Sequence, residues 1–269
     1  MDTPPKQWCA VCRRLLYCAC RTALTESCWQ IPGHNLSHHR HTETRKDPMR
    51  TSKVQYKWHL LNLLLFQPTV ALDVFRMDLS YTLLQRAMKT PFFAHVCMEW
   101  GVLILSQLFL SFLDWRRFML YIYAPHLFAQ WGIVTMNILQ HDGCHVSSPD
   151  DKTTNYNTAR NFTGHTVNLL TFNNGFHTIH HMYPTMHWSD LAREHRARVQ
   201  PHIHPNLDQS CMCSYVYSTF VYPGRRVDYL GNPVVFQHTP DLPDEDWIHE
   251  EHAPDGMSRA QYALKRNAS

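Results

Sequence analysis

Among the 269 residues there is no GxGxxG run or other nucleotide fingerprint, so a reaction that needs electrons must draw them from outside the chain. Basic and acidic residues nearly cancel, 25 against 22, and no stripe interleaves arginine or lysine with aromatics, which excludes a nucleic-acid partner. No segment repeats at a period of about 20–50 residues, and no secretory signal is recognisable. The nine cysteines make no disulfide framework, because five of them (Cys9, Cys12, Cys18, Cys20 and Cys28) crowd into the first 28 residues. Cys9-Ala-Val-Cys12 has the spacing of half a zinc or redox site, but Cys18-Ala-Cys20 is too tight to complete a four-cysteine knuckle. Residues 1–30 are therefore set apart as an atypical Cys-rich N-terminus.

The most informative absence is charge. No Asp, Glu, Lys or Arg stands between Arg117 and Asp142, and Phe118 to Leu139 is long enough as a helix to cross a hydrocarbon core of about 30 Å. The negative mean hydropathy of the whole chain conceals this segregation. A second candidate span, Phe92 to Leu113, carries one charge, Glu99, and is edged by Trp100 and Trp115 as interfacial aromatics would edge it. Asp114-Trp115-Arg116-Arg117 is a short connector that predicts a helical hairpin over about 92–139. Trp58 to Leu72 is shorter and interrupted by Gln67 and Pro68, and it reads as an interfacial or re-entrant amphipathic segment continued by Leu79, Leu83, Leu84 and Met88. The basic residues Arg40, Arg45, Lys46, Arg50, Lys53 and Lys57 ahead of it suit the cytosolic face.

Two histidine clusters flank the apolar half. In His177-Thr-Ile-His180-His181 the positions i, i+3 and i+4 share one helix face, so the imidazoles can converge on metal without distorting the backbone. In His34-Asn-Leu-Ser-His38-His39, His34 and His38 are one turn apart and His39 is offset toward a neighbouring ion. Imidazole suits Fe, Zn, Cu and Ni, and neither cluster contains a carboxylate, so the donor set is nearly pure nitrogen. An even number of crossings between the clusters puts both on one side of a membrane, which two spans satisfy. His145, His165, His187, His195, His202 and His204 are weaker ligand candidates, in line with the histidine-rich composition. Candidates for orienting partners are Asn137, Asp142, Asn173, Asn174 and Asp190. The stretch 233–269, with Asp241, Asp244, Glu245, Asp246, Glu250 and Glu251, reads as an acidic, flexible, solvated tail.

These motifs resemble the membrane fatty acid desaturase and hydroxylase superfamily over roughly residues 30 to 232. His34-x3-His38-His39 looks like the family's second histidine box and His177-x2-His180-His181 like its third, with Asn173-Asn174-Gly175-Phe176, Met182-Tyr183-Pro184 and His187-Trp188-Ser189 around the latter. Asn137-Ile-Leu-Gln-His141 is similar to a family pattern in which an Asn holds a water on iron four residues before a further ligand. The resemblance implies an all-α fold: an integral membrane helical hairpin, interfacial helices and a cytosolic His-rich cap, with 31–232 as the desaturase-like domain. It implies two iron ions held by His34, His38, His39, His141, His177, His180 and His181, with Asn137 beside them and dioxygen as co-substrate. It implies a lipid acyl substrate, an external electron donor of the b-type cytochrome or ferredoxin kind, and histidine boxes on the cytosolic or stromal face.

One departure stands out: no histidine precedes His34, so the family's first box is absent from these residues, as is the hairpin before it. The expected activity is oxygen-dependent desaturation of a lipid acyl chain, with one iron under-coordinated and the chain as written inactive. Hydroxylation or ketolation within the same superfamily, and a non-catalytic membrane remnant, remain open. Unactivated C–H bonds offer no acidic proton and no leaving group, so side-chain acid–base catalysis cannot attack them, whereas a redox metal with dioxygen can.

Overall fold

The computed structural model describes residues 31–146, 155–236, 243–245 and 247–250. The Cys-rich segment 1–30 lies outside the described residues. Among the described residues the chain is mostly helical, its strands limited to the short parallel pair β1 (Asn161–Phe162) and β2 (Asp208–Gln209). Its described residues divide into two compact units, one made of those within 1–32 and 78–128, the other of those within 33–77 and 129–269.

Helix α1 runs unbroken from His59 to Ala87. The expected continuation of the Trp58–Leu72 segment through Leu79, Leu83 and Leu84 is present, but Gln67 and Pro68 do not interrupt it. Apolar residues lie all round it, with Leu63, Phe66 and Val70 buried and Leu64, Leu72 and Phe75 exposed, so it has no single polar face. Pro68 cannot donate to the carbonyl of Leu64. That carbonyl accepts instead from the indole Nε1 of Trp131 at 3.1 Å, while Thr69 Oγ1 donates to Leu65 O at 2.7 Å. With the freed carbonyl satisfied, the helix continues through the proline.

In the first unit, α2 (Pro91–Leu113) starts on Pro91 at its first turn, where a missing N–H costs nothing. Like α1 it is long and apolar enough to cross a membrane. Leu105, Phe109 and Phe112 are exposed on it, Phe112 to 89%, a surface suited to hydrocarbon rather than water. The expected four-residue connector shrinks to one residue. Asp114 alone is extended, and its carboxylate accepts from the amides of Arg116 and Arg117, both at 3.1 Å, capping a helix that restarts at Trp115. Helical turns Trp115–Phe118 and Met119–Tyr123 lead directly into α3 (Ala124–His141).

The second unit has two apolar cores. One packs Met49, Val54, Leu63, Phe66, Val70, Ile138, Leu139, Phe162 and Phe220. The other packs Phe176, Ile179, Met182, Leu191, Val199, Ile203 and Leu207 beneath the third histidine motif. Within the acidic stretch 233–269, described residues meet the fold: Asp244 N–H donates to Arg45 O at 2.9 Å, its carboxylate meets Arg45 Nε at 3.3 Å, and Trp247 and Ile248 are buried. Burial of an indole and an isoleucine outweighs the solvation that the local charge pattern suggested.

Candidate metal centre

Four elements carry the seven histidines, all of which lie in the second unit. His34, His38 and His39 lie on the wide helical turns Ile31–His38 and on His39–His41, and His141 ends α3. After α4 (His165–Leu170) comes α5 (His177–Met182), which carries His177, His180 and His181. The start of α5 is held by Asn161, whose side chain accepts from Thr178 N at 2.9 Å and donates to Thr178 Oγ1 at 3.0 Å. Just before it, Gly175 is required by close approach. A Cβ there would collide with the carbonyl of Phe162 and come within 2.6 Å of Asn168 Oδ1, the atom that accepts Gly175 N–H.

The structure brings the two motifs and His141 together. One ligand nitrogen each from His38, His141, His177 and His181 lie within 4.8 Å of one another, all four side chains buried. His177 Nε2 is 3.1 Å from His141 Nε2 and 3.0 Å from His181 Nε2. Two nitrogens about 2.1 Å from a common ion are about 3.0 Å apart at a right angle and about 3.4 Å apart at the tetrahedral angle. The two short spacings are those of nitrogens that share one ion. His39 stacks on His181 with centroids 4.3 Å apart, and His34 Nε2 is 3.1 Å from His39 Nε2. His180 stands edge-on to His39 at 4.8 Å. His34, His39 and His180 thus form an adjoining group of three.

The tautomers follow from the partners. Asp47 is buried and its carboxylate only accepts, so His38 Nδ1 donates to it at 2.9 Å. His141 Nδ1 donates to the carbonyl of Thr158 at 3.1 Å. Thr42 Oγ1 gives its proton to His38 O, so His181 Nδ1 is the donor in the 3.4 Å contact between them. In neutral His38, His141 and His181 the lone pair then sits on Nε2, pointing into the cluster. A single N–H on His177 Nε2 can serve His141 or His181 but not both, which leaves lone pair against lone pair at about 3 Å unless a cation lies between them. Burial first, and then neighbouring histidines, hold His39, His177 and His181 well below the usual imidazole range. Burial and the proximity of His38 bring His141 down to about 3. Neutral imidazoles are the form that binds metal.

Asn137 lies in the site. Its Nδ2 is 3.1 Å from His38 Nε2, and its buried Oδ1 has no partner among the described residues. Asp142 is bound by Arg226. Asn173 donates to Trp188 O, Asn174 offers its backbone carbonyl to Gln140, and Asp190 pairs with Arg193 at the surface. The weaker histidines bond elsewhere: His145 with Asn155, His187 with Ser189, His195 with Asp208, and His204 with the amide of Asn206, while His202 stacks on Tyr156. Asp47, Thr42 and Thr158 escaped the sequence reading. Asp47 alone left a trace, as an acid followed by proline within a basic run.

The family model for fatty acid desaturases matches residues 4–208. The chain belongs to that family. Comparisons with curated proteins and with solved structures returned no match. Membership sets the chemistry, at the level of the family, as desaturase-type lipid oxidation in an all-α fold. The family is of the di-iron type, and the donor set fits iron on the four-histidine side. The three-histidine side offers fewer nitrogens.

Proposed function

We propose that the chain is a membrane-embedded lipid acyl oxidoreductase of the desaturase kind, with two iron ions held by its histidine motifs, dioxygen as co-substrate and a b-type cytochrome or ferredoxin as electron donor. The observation that carries this reading is the convergence of tautomer-fixed Nε2 lone pairs from His38, His141 and His181 around His177. Asp47, Thr158 and Thr42 each bond a Nδ1 and so turn Nε2 inward, the orientation that metal-binding imidazoles take. When bound, iron with dioxygen supplies the oxidising power that unactivated C–H bonds demand. The protein's part is geometric. His38, His141, His177 and His181 hold one ion; His34, His39 and His180 face the second; Asn137 presents its unpartnered Oδ1 beside the first.

In this reading α2 and the charge-free stretch Phe118–Leu139 cross the bilayer, so that His38 and His141 meet on its cytosolic or stromal side. Helix α1 lies on one side, because Asp73, Arg76, Asp78 and Arg86 belong to it and Asp73 pairs with Lys53 at 2.6 Å. A specific observation favours a second reading for these 269 residues taken alone. With no histidine ahead of His34, the centre is four plus three, and the chain retains metal without turnover. Lipids of cells expressing the 269 residues decide between them. We expect no new double bond or hydroxyl group, and expect desaturated product once an apolar hairpin with a His-x3-His box is fused ahead of residue 31, product that His180→Ala abolishes while lowering the iron content. An unchanged product with His180→Ala would remove that residue from the ligand set.

A further inference from the structure

The family match ends at residue 208, yet the chain beyond it reaches back to the histidines. Asp142 follows His141 directly. Its carboxylate is gripped by Arg226, which donates from Nε to Oδ2 at 2.8 Å and from Nη2 to Oδ1 at 2.5 Å, a two-pronged pair with both side chains buried. The same guanidinium donates from Nη1 to Val54 O at 2.7 Å and from Nη2 to Thr51 O at 3.4 Å. Thr51 in turn donates to Glu43, from N at 2.9 Å and from Oγ1 at 2.8 Å. Glu43 N–H donates at 2.9 Å to Asp47 Oδ2, the oxygen that receives His38 Nδ1. A continuous series of hydrogen bonds therefore runs from Arg226 to His38 on one side and, through one peptide bond, to His141 on the other.

The backbone around Arg226 is seated to match. Gly143 is left-handed at φ +69, and a Cβ there would lie 2.5 Å from Val227 O and 2.8 Å from Asp228 Cα. Tyr229 N–H donates to Gly143 O at 3.0 Å. From the other flank Arg160 Nη1 donates to Leu139 O at 2.9 Å and Asp142 O at 3.0 Å, closing the end of α3. Two arginines thus immobilise the turn that carries His141, one of them from outside the matched family region.

We propose that Arg226 is a positioning residue for the histidine centre, setting His141 through Asp142 and His38 through Thr51, Glu43 and Asp47; this rests on the reading of those histidines as ligands. The test uses the full chain in detergent, loaded with Co(II), with affinity and visible ligand-field bands as readouts. Replacing the pair by apolar residues, Arg226→Met with Asp142→Leu, leaves no buried charge alone, so the fold should persist. It should weaken Co(II) binding by about 10- to 100-fold and shift the bands. Arg226→Lys, which keeps the charge and loses the fork, should fall between; it decides the matter if the double variant does not fold. Asp228→Ala loosens the same segment, where Asp228 accepts from Leu230 N and Asn232 N, without touching Asp142, and should leave affinity unchanged. Unaltered affinity and bands in the Arg226 variants, or an equal loss in Asp228→Ala, overturns the proposal. His181→Ala separates the two levels. If it too leaves Co(II) binding intact, the ligand reading itself fails.

Discussion

His38 and Asp47 are joined by a 2.9 Å hydrogen bond between buried side chains, and that bond decides which nitrogen of His38 faces the cluster. Asp47 also accepts from the amides of Glu43 and Met49. Burial pushes its carboxyl up, but His38 and the two amides outweigh it and hold it below its ordinary value. Asp47→Asn removes the negative charge that anchors the Nδ1 proton. It should lower metal affinity by about 10- to 100-fold with the helical content intact. Metal content by mass spectrometry and circular dichroism on the same preparation check this. Full metal content would mean that the carboxylate only stiffens the loop.

The two histidine groups should respond unequally. His181 belongs to the group of four, whereas His34 contacts His39 on the three-histidine side. His181→Ala is expected to strip the tightly held ion, and His34→Ala to leave it in place. Equal losses in the two variants would show that neither group holds an ion by itself.

Acid should destabilise the metal-free chain in a defined window. The folded state keeps His141 neutral down to about 3, so on acidification the unfolded chain takes up protons first. Its contribution is fully present above about pH 6.5 and is lost as pH falls toward 3, at about 1.4 kcal/mol per pH unit for each such imidazole. His177 and His181, also lowered, act in the same direction. Thermal melts of metal-free protein from pH 7.5 to 5 should show a falling Tm, less steep in His141→Phe. A level Tm across that range would contradict the neutral cluster.

Pro68 and Trp131 form a coupled pair. Trp131→Phe leaves Leu64 O without its indole donor and should cost about 0.5–1.5 kcal/mol. In a Pro68→Ala background the residue at 68 supplies the amide itself, so the same Trp131→Phe change should cost little. Additive losses in the four-variant cycle would show that the indole bond does not compensate for the proline.

Much of the helical layout was legible in the chain itself. The i, i+3, i+4 histidines, the charge-free run from Phe118 to Leu139 and the apolar stretch ending at Leu113 are local patterns, and each falls on helix as local pattern predicts. Other features are decided by partners distant in sequence. Pro68 reads locally as a break, yet α1 continues through it, and the carbonyl it frees is met by an indole 63 residues on, that of Trp131. The direction of each imidazole depends on Asp47, Thr158 and Thr42, because a ring nitrogen's proton follows whichever acceptor the fold places beside it. Trp247 and Ile248 sit in an acidic run that reads as solvated, yet both are buried. Sequence alone determined which side chains could ligate a metal. Tertiary structure decided which of their nitrogens converge, since spacing along a chain carries no information about hydrogen-bond acceptors contributed from elsewhere in the fold.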